Sequence, residues 1–269
     1  MIKKRNFLYA CTMLVMGIGM IFSTGCSKDA VESNSTTYDL KVKDVLGVSG
    51  TVTFVQTSLT VTTINITLIG APAGTHPATL YSNSLVEGGT AKLILKPVDA
   101  SGKSSTTVSD ITYSELIAFD GSVKVLKSDT ELGIVLAQGD IGGNVLTTTN
   151  KTYTLATQGT YGVSGTALLQ KRVNGNTLVT ISLNGTIAGD SYPATINLGS
   201  IATVGGGPVV ATLQNINGTT GKSYTNIKAL NSGVAITYDN WMVYDGYINI
   251  YQTSFLTGDV ICHGNIGSH

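Results

Sequence analysis

The stretch GVSGTVTFVQ, residues 47–56, carries the two patterns that decide the fold. Apolar and polar residues alternate along it, with Val52 and Phe54 in apolar positions. Because successive side chains of a strand point to opposite faces of its sheet, this alternation predicts a half-buried β-strand. The first five residues, GVSGT, return at 162–166, so the same stretch also indicates an internal repeat.

Further short strings recur in the same order. The pairs are PAT at 77–79 and 193–195, GKS at 102–104 and 221–223, ITY at 111–113 and 236–238, FDG at 119–121 with YDG at 244–246, and GDIG at 139–142 with GNIG at 264–267. The offset grows from 115 to 125 along the chain, as loop insertions between fixed strands would produce. We therefore predict two copies of one domain, residues 38–143 and 153–269, joined by a Thr-rich linker over 144–152.

The composition favours strands over helices. Charged residues make up 12% of the chain, and its 32 glycines accompany many Thr, Val and Ile residues, which suits short strands joined by tight turns. Short helices are expected only at 113–118 and 238–243, just before Asp120-Gly121 and Asp245-Gly246, which we interpret as turns. The predicted fold class is all-β, with two tandem sandwich or barrel domains.

The N-terminus has the pattern of a secretory signal. Lys3, Lys4 and Arg5 precede an apolar run from Phe7 to Phe22, and a small-residue segment, Ser-Thr-Gly, leads to Cys26. This predicts a signal peptide over 1–25, and the ending resembles the lipobox of bacterial lipoproteins, in which the cysteine is acylated. Residues 26–37 are then the lipid anchor and tether. An ordinary cleaved signal with an incidental Cys26 is the alternative.

Charge and cysteine content narrow the function classes. Removing residues 1–25 takes three of 16 basic residues and none of 16 acidic ones, so 13 against 16 leaves a mature net charge of −3. This charge does not favour nucleic acid as a partner. Cys262 is the one cysteine after Cys26, so no disulfide is expected, and we predict that Cys262 is a small buried residue of the last strand. On a strand, Cys262 and His263 point to opposite faces and cannot form a catalytic pair.

The order of segments in copy one resembles the CHRD domain first described in chordin. The matching segments are GVSGTVTFVQ, TTINITLIGAPAGTHPATLY, FDGSVKV and AQGDIG, and the likeness extends over residues 38–142 and, more loosely, 153–267. This family is distantly similar to the Greek-key barrel of copper/zinc superoxide dismutase. The resemblance implies a tandem pair of Greek-key β domains in a Bacteroidota-type lipoprotein.

The resemblance also bears on metal binding. Many relatives have His-x-x-His-x-His after the glycine turn, but here only His76 matches, and the next two positions are Thr79 and Tyr81. The copy-two positions are Tyr192, Thr195 and Asn197. Since imidazole holds copper in such a site and neither Thr nor Asn replaces it, we expect no metal and no cofactor. The sequence also has no GxSxG elbow, so we expect no catalytic residues.

One strand of copy two has the clearest candidate binding residues. Tyr247, Asn249 and Tyr251 are predicted on one face, with Ile248 and Ile250 on the other. A Tyr-Asn-Tyr face could stack on a sugar or receive a partner protein. The alternative interpretation, which we favour, is cross-strand packing at the junction between the domains. Trp241 is expected in the core, and the glycines at 205–207 in a loop.

Together these patterns predict a non-catalytic cell-envelope lipoprotein that acts as a binding or structural module. Its N-terminal lipid would attach it to a membrane, which we predict to be the outer membrane with its face undecided, and Lys28-Asp29 resembles a brief form of a surface-export signal. Two alternatives remain open at this stage. One is a glycan-binding accessory of outer-membrane uptake, and the other is a degenerate metal protein related to superoxide dismutase.

Overall fold

Two barrel-like β-sheets of eight strands each make up the computed structural model, which describes residues 34–252 and 259–269. Barrel one consists of β1 Ser35–Val42, β2 Ser49–Gln56, β3 Thr62–Ile69, β4 His76–Ser82, β5 Ala91–Val98, β6 Lys103–Val108, β7 Gly121–Leu126 and β8 Val135–Ile141. Barrel two consists of β9 Leu146–Thr157, β10 Ser164–Arg172, β11 Thr177–Asn184, β12 Ser191–Leu198, β13 Val209–Asn217, β14 Lys222–Ile227, β15 Asp245–Tyr251 and β16 Val260–Gly267. The predicted all-β class and the two tandem domains are confirmed.

Both barrels have the same strand order. Hydrogen-bonded neighbours run β5-β4-β7-β8-β1-β2-β3-β6 in barrel one, and the matching order β13-β12-β15-β16-β9-β10-β11-β14 closes on itself in barrel two. In each barrel the third strand lies beside the sixth rather than the fourth, which is a Greek-key arrangement. At the β5–β6 seam of barrel one, the Lys96 N–H donates to Thr106 Oγ1 (2.8 Å) and Ser104 Oγ donates to the Lys96 carbonyl (2.5 Å).

Each barrel encloses its own apolar core, built from the alternation seen in the sequence. In β2, Val52 and Phe54 are fully buried, and they pair across the sheet with Ile66 and Ile64 of β3. The intervening residues face outward, as a period of two requires. A separate cluster of buried residues fills barrel two and includes Trp241 and Cys262, both without exposed surface. Their predicted core positions are confirmed.

One short helix precedes the seventh strand of each barrel, at the predicted place. They are α1 Tyr113–Ala118 and α2 Tyr238–Met242. Each begins with a capping box: Thr112 pairs reciprocally with Glu115, and Thr237 pairs reciprocally with Asn240. The cap satisfies N–H groups that a short helix would otherwise leave without partners, so these helices form despite their length.

The recurring Gly-Asx-Ile-Gly string is explained by a close backbone approach. Gly142 has φ +60°, and a Cβ there would lie 2.0 Å from the Phe119 carbonyl oxygen. Its counterpart Gly267 has φ +75°, and its Cβ would lie 1.9 Å from the Tyr244 carbonyl oxygen. Only glycine tolerates both the conformation and the contact, so the string marks where β8 and β16 end against the segment after each helix.

The predicted linker is wrong in one respect. A 3₁₀ turn occupies Gly142–Asn144, but Leu146–Thr157 is the continuous strand β9, in which Tyr153 pairs with Ala167 of β10. β-Branched threonines favour strands, and a Thr-rich composition alone does not distinguish a strand from a connector. At the other end, β1 begins at Ser35, inside the predicted tether over 26–37. The rest of that tether and the predicted signal peptide lie outside the described residues.

Replacing Gly142 by Ala should strongly destabilise barrel one. The added Cβ meets a carbonyl oxygen in a strained conformation, so we expect a loss of about 3 kcal/mol or more in the free energy of unfolding. The control is Gly47→Ala, at φ +85° with nothing within 4 Å of the added Cβ. That variant should lose only about 1–2 kcal/mol, the cost of the left-handed conformation. Equal losses in urea denaturation would contradict the close-approach explanation.

Candidate functional site

A buried arginine joins the two barrels. Arg172 ends β10 of barrel two, and its side chain has no exposed surface. Its Nη1 donates to Asn144 Oδ1 (2.5 Å), while its Nη2 donates to Ser84 Oγ (3.0 Å) and to Glu87 Oε2 (2.6 Å). Ser84 and Glu87 belong to the β4–β5 loop of barrel one. Arg172 therefore binds barrel one and the connecting turn at once, and we call these four residues the junction cluster.

Local structure places Arg172 in this position. The β9–β10 pairing shifts register between Gln170 and Arg172, which marks a bulge. A bulge interrupts the alternation of a strand and redirects the side chain that follows it. Arg172 then turns toward barrel one, while neighbouring Lys171 forms an exposed ion pair with Asp239 (2.6 Å).

Charge in the junction cluster is compensated at short range. The Glu87 side chain is 15% exposed, and Ser84 Oγ donates a 2.5 Å hydrogen bond to the same Oε2 that receives Arg172. A buried guanidinium is costly unless it is paired and hydrogen-bonded, and here both nitrogens at its end have oxygen partners. Within the described residues, its Nε has none.

A second set of contacts surrounds the junction cluster. Asn174 Nδ2 donates to Asp120 Oδ1 (2.8 Å), and the Val173 N–H donates to the Val145 carbonyl (2.9 Å). A Cβ on Gly143 would lie 2.4 Å from Asp120 Oδ1, so the turn between the barrels fits closely against this hydrogen bond. Asp120, interpreted from sequence as a turn residue, thus also contributes to the junction.

The β4–β5 loop is itself held by backbone anchors. The Leu85 N–H donates to Asp140 Oδ1 (2.7 Å), and the Asn83 N–H donates to the Asp120 carbonyl (2.8 Å). Burial raises the pKa of the Asp140 carboxyl, against the lowering effects of the Leu85 hydrogen bond and of the nearby Arg172 charge. A carboxylate with a raised pKa inside a cleft is a common feature of functional sites.

Two clefts adjoin the junction cluster. The larger, about 620 Å³, lies outside the β1–β8 seam, and its lining includes Asp39, Lys41, Gln138 and Asp140. Leu85 and Leu146 also contribute to this lining. The smaller cleft, about 380 Å³, lies between Glu87 of barrel one and Gln214, Tyr224 and Asn226 of barrel two. Polar groups from several strands converge in the larger cleft, so it is the concave site best suited to a small polar ligand.

The predicted binding face of barrel two is not exposed. Tyr247, Asn249 and Tyr251 lie on the side of β15 opposite Ile248 and Ile250, as predicted, but they are only 4%, 8% and 7% exposed. The β12–β13 loop contacts Tyr247, whose Oη accepts the Gly207 N–H (2.8 Å). Period-two alternation identified the face correctly but not the loop that packs against it, so the expectation of an exposed surface is wrong.

The hydroxyls of this face serve internal contacts. Tyr251 Oη lies 3.3 Å from Thr195 Oγ1, which donates to Asn197 Oδ1 (2.7 Å), and Asn197 Nδ2 donates to the Gly207 carbonyl (2.9 Å). These contacts are with β12 and the β12–β13 loop. The favoured interpretation, cross-strand packing, therefore describes the side chains, although its location at the domain junction was wrong.

His76 begins β4 and is fully engaged with the backbone. Its Nδ1 lies 2.6 Å from the Lys127 carbonyl oxygen, and its Nε2 lies 3.0 Å from the Pro72 carbonyl oxygen. Thr79 and Tyr81 follow on the same strand. A metal at His76 would have to displace one of these two contacts, because each nitrogen offers a single lone pair or proton.

Cys262 and His263 point to opposite sides of β16, as predicted. Burial raises the pKa of the Cys262 thiol to about 12, so it stays protonated at neutral pH. Burial also lowers the pKa of His263, which lies on the outer face beside Gln158. Cys26, the predicted lipidation site, lies outside the described residues.

No family model, curated protein or solved structure matches this chain. Within residues 34–252 and 259–269, no three His, Cys, Asp or Glu side chains come together in a way that could hold a metal ion. Neither helix in those ranges has the length and apolar character that crossing a membrane requires.

Sequence reasoning missed the junction cluster. One signal was available: Arg172 is the only arginine after Arg5. Its partners Ser84, Glu87 and Asn144 lie 28 to 88 residues away along the chain, and a single sequence cannot place them beside it. In the sequence, Glu87 has the features of an ordinary charged loop residue, and only the folded structure shows that it pairs with Arg172.

Replacing Arg172 by Met should remove about 3–5 kcal/mol from the free energy of unfolding, because it leaves the Glu87 carboxylate buried without its cation. The control is Lys171→Met, which breaks the exposed pair with Asp239 and should cost less than about 1 kcal/mol. Combining Arg172→Met with Glu87→Met should recover most of the loss. Urea unfolding followed by fluorescence of Trp241 measures all three, and similar losses in the two single variants would contradict this account.

Asp140→Asn tests the raised pKa. An amide oxygen can accept the Leu85 N–H, as Asn265 accepts the Ile201 N–H (2.9 Å) in barrel two. With the folded pKa above the ordinary 3.8, the folded state holds the extra proton, so this group's contribution to stability is lost as pH rises from that value through the folded pKa. We expect Asp140→Asn to remove this decline. The comparison variant is Asp99→Asn. Hydrogen bonds from Ser101 lower the pKa of Asp99, so the contribution of Asp99 to stability is lost as pH falls, and Asp99→Asn should remove that loss at low pH. Urea midpoints measured from about pH 2 to pH 7 include the titration of both groups; an unchanged profile for Asp140→Asn would refute the prediction.

Proposed function

We propose that the chain is a non-catalytic, lipid-anchored cell-envelope protein whose two barrels act together as one binding or structural module. The lipobox-like ending at Cys26 supports the anchor, and the mature net charge of −3 argues against a nucleic-acid partner. The Greek-key order shared by both barrels is what a relationship to CHRD domains would lead one to expect. We include membership of that family in the proposal.

The observation that carries the proposal is the junction cluster. Domains of one chain usually move relative to each other unless their interface is large or specifically bonded. Here a fully buried arginine makes two hydrogen bonds to barrel one and a third to the connecting turn, so separating the barrels would expose an ion pair and leave several polar groups without partners. The pair of barrels therefore presents one continuous surface, which includes the cleft of about 620 Å³.

The residues that motivated the two alternative functions are engaged in internal contacts. Glycan capture was based on an exposed Tyr247 and Tyr251, which are buried. An activity related to superoxide dismutase was based on His76, whose nitrogens face the Lys127 and Pro72 carbonyls. Stoichiometric copper or zinc in protein purified without added metal would restore the second alternative.

Lipidation is tested by metabolic labelling with an alkyne fatty acid. We expect the wild-type chain to incorporate label and to fractionate with membranes, and Cys26→Ala to do neither. Cys262→Ala is the matched control: it removes the buried cysteine of β16 and should leave labelling unchanged. A labelled Cys26→Ala chain, or an unlabelled wild type, would overturn the anchor. Protease treatment of intact cells then tells whether the barrels face the medium or the periplasm.

A further inference from the structure

The two barrels carry equivalent loops between their fourth and fifth strands. We call residues 83–90 the first docking loop, because it holds Ser84 and Glu87, and residues 199–208 the second docking loop. The Leu85 N–H donates to Asp140, and at the matching place the Ile201 N–H donates to Asn265 (2.9 Å). The two loops are thus anchored by the same backbone contact.

Further contacts extend the equivalence to the whole loop. The Asn83 N–H donates to the Asp120 carbonyl (2.8 Å), and the Gly199 N–H donates to the Asp245 carbonyl (2.9 Å). At the far end, Cβ atoms built on Gly89 and Gly207 would both lie 1.7 Å from the carbonyl of the last residue of the preceding strand. The two loops leave and re-enter their barrels in the same way, so they present their tips in corresponding directions.

Within the described chain, only the first docking loop has a hydrogen-bond partner on the other barrel. It binds Arg172 at the end of the β10–β11 hairpin, whose turn spans residues 173–176. The second docking loop has an apolar, uncharged tip instead. Val204 is 100% exposed and Ile201 is 44% exposed, and residues 198–209 contain no charged residue. Exposed apolar side chains gathered on one loop are typical of a contact surface.

The β10–β11 turn, beside which the first docking loop binds, has a counterpart in barrel one. Like the second docking loop, this counterpart has no hydrogen-bond partner on the other barrel within the described chain. The β2–β3 turn of barrel one, residues 57–61, occupies the place of the β10–β11 turn in barrel two. Leu59 stands where barrel two has Asn174, at the repeat offset of 115, and is 75% exposed. This turn is uncharged as well, so the free loop and the free turn match in chemistry, just as Glu87 and Arg172 match at the internal junction.

We propose that the second docking loop of one copy binds the β2–β3 turn of a second copy, which repeats between molecules the contact made between barrels. Val204 and Ile201 would pack on Leu59 and remove apolar surface from water. The two surfaces differ from each other and lie on different barrels, so the contact is head-to-tail and can continue into a chain of copies. Without a covalent linker the association should be weak.

Sedimentation equilibrium of the mature chain from Ser27, which contains both barrels, tests the proposal up to roughly 1 mM, the effective concentration typical of a short linker. We expect concentration-dependent association of the wild type. Val204→Asp and Leu59→Asp should each weaken it at least about tenfold, since each puts a charge into an apolar contact. The control Ile94→Asp replaces an equally exposed residue, 79% exposed on β5, and should leave association unchanged.

A mixture of the two variants distinguishes head-to-tail docking from other modes. Each variant retains one intact surface, so Val204→Asp mixed with Leu59→Asp should form a one-to-one heterodimer that grows no further. Three results would overturn the proposal: a monomeric wild type at every concentration, association that Leu59→Asp leaves intact, or a mixture that stays monomeric. Binding of the monomeric wild type to phosphatidylethanolamine–phosphatidylglycerol vesicles, lost in Val204→Asp, would assign the loop to a lipid surface instead.

Discussion

The buried charge of Arg172 is the constraint on which the arrangement of the two barrels depends. A guanidinium without exposed surface must find oxygen partners, and its partners come from the β4–β5 loop and from the turn after β8. The loop, the turn and the β10–β11 hairpin therefore have to meet at one place. The β4–β5 loop contributes to the lining of both clefts beside the junction, so the shape of these clefts depends on the ion pair that holds this loop.

The two copies keep their backbone contacts and differ in the side chains that those contacts present. The anchors of the β4–β5 and β12–β13 loops correspond one to one, down to the carbonyl that each closing glycine approaches. Backbone contacts of this kind require glycine or an Asx oxygen, which is why those positions recur in the sequence. The loop tips are free of that requirement, and there one copy has Glu87 and the other Val204.

The sequence predicts features that depend on neighbouring residues, such as strand faces and short helices. It does not predict contacts between segments that are far apart in the chain. Alternation located Val52 and Phe54 in the core, and short helices were expected at 113–118 and 238–243 because Asp-Gly turns follow directly; the second helix ends one residue earlier, at Met242. The burial of Tyr247 depends on the Gly207 N–H, some forty residues earlier in the chain. Arg172 likewise depends on Glu87. A period of two tells which way a side chain points, and only the folded chain tells what it meets.

Asp140 has a negative charge that the fold of barrel one does not require. Its oxygen accepts the Leu85 N–H, a role that the amide of Asn265 performs equally well in barrel two. The carboxylate adds a second negative charge beside Glu87, and the raised pKa means that burial outweighs the attraction of Arg172. Holding the loop therefore does not explain the charge. The carboxylate lines the cleft of about 620 Å³, together with Asp39 and Lys41. A charge that burial disfavours, placed in a cleft, is an arrangement that functional sites share, and it is consistent with the proposed binding role of this surface.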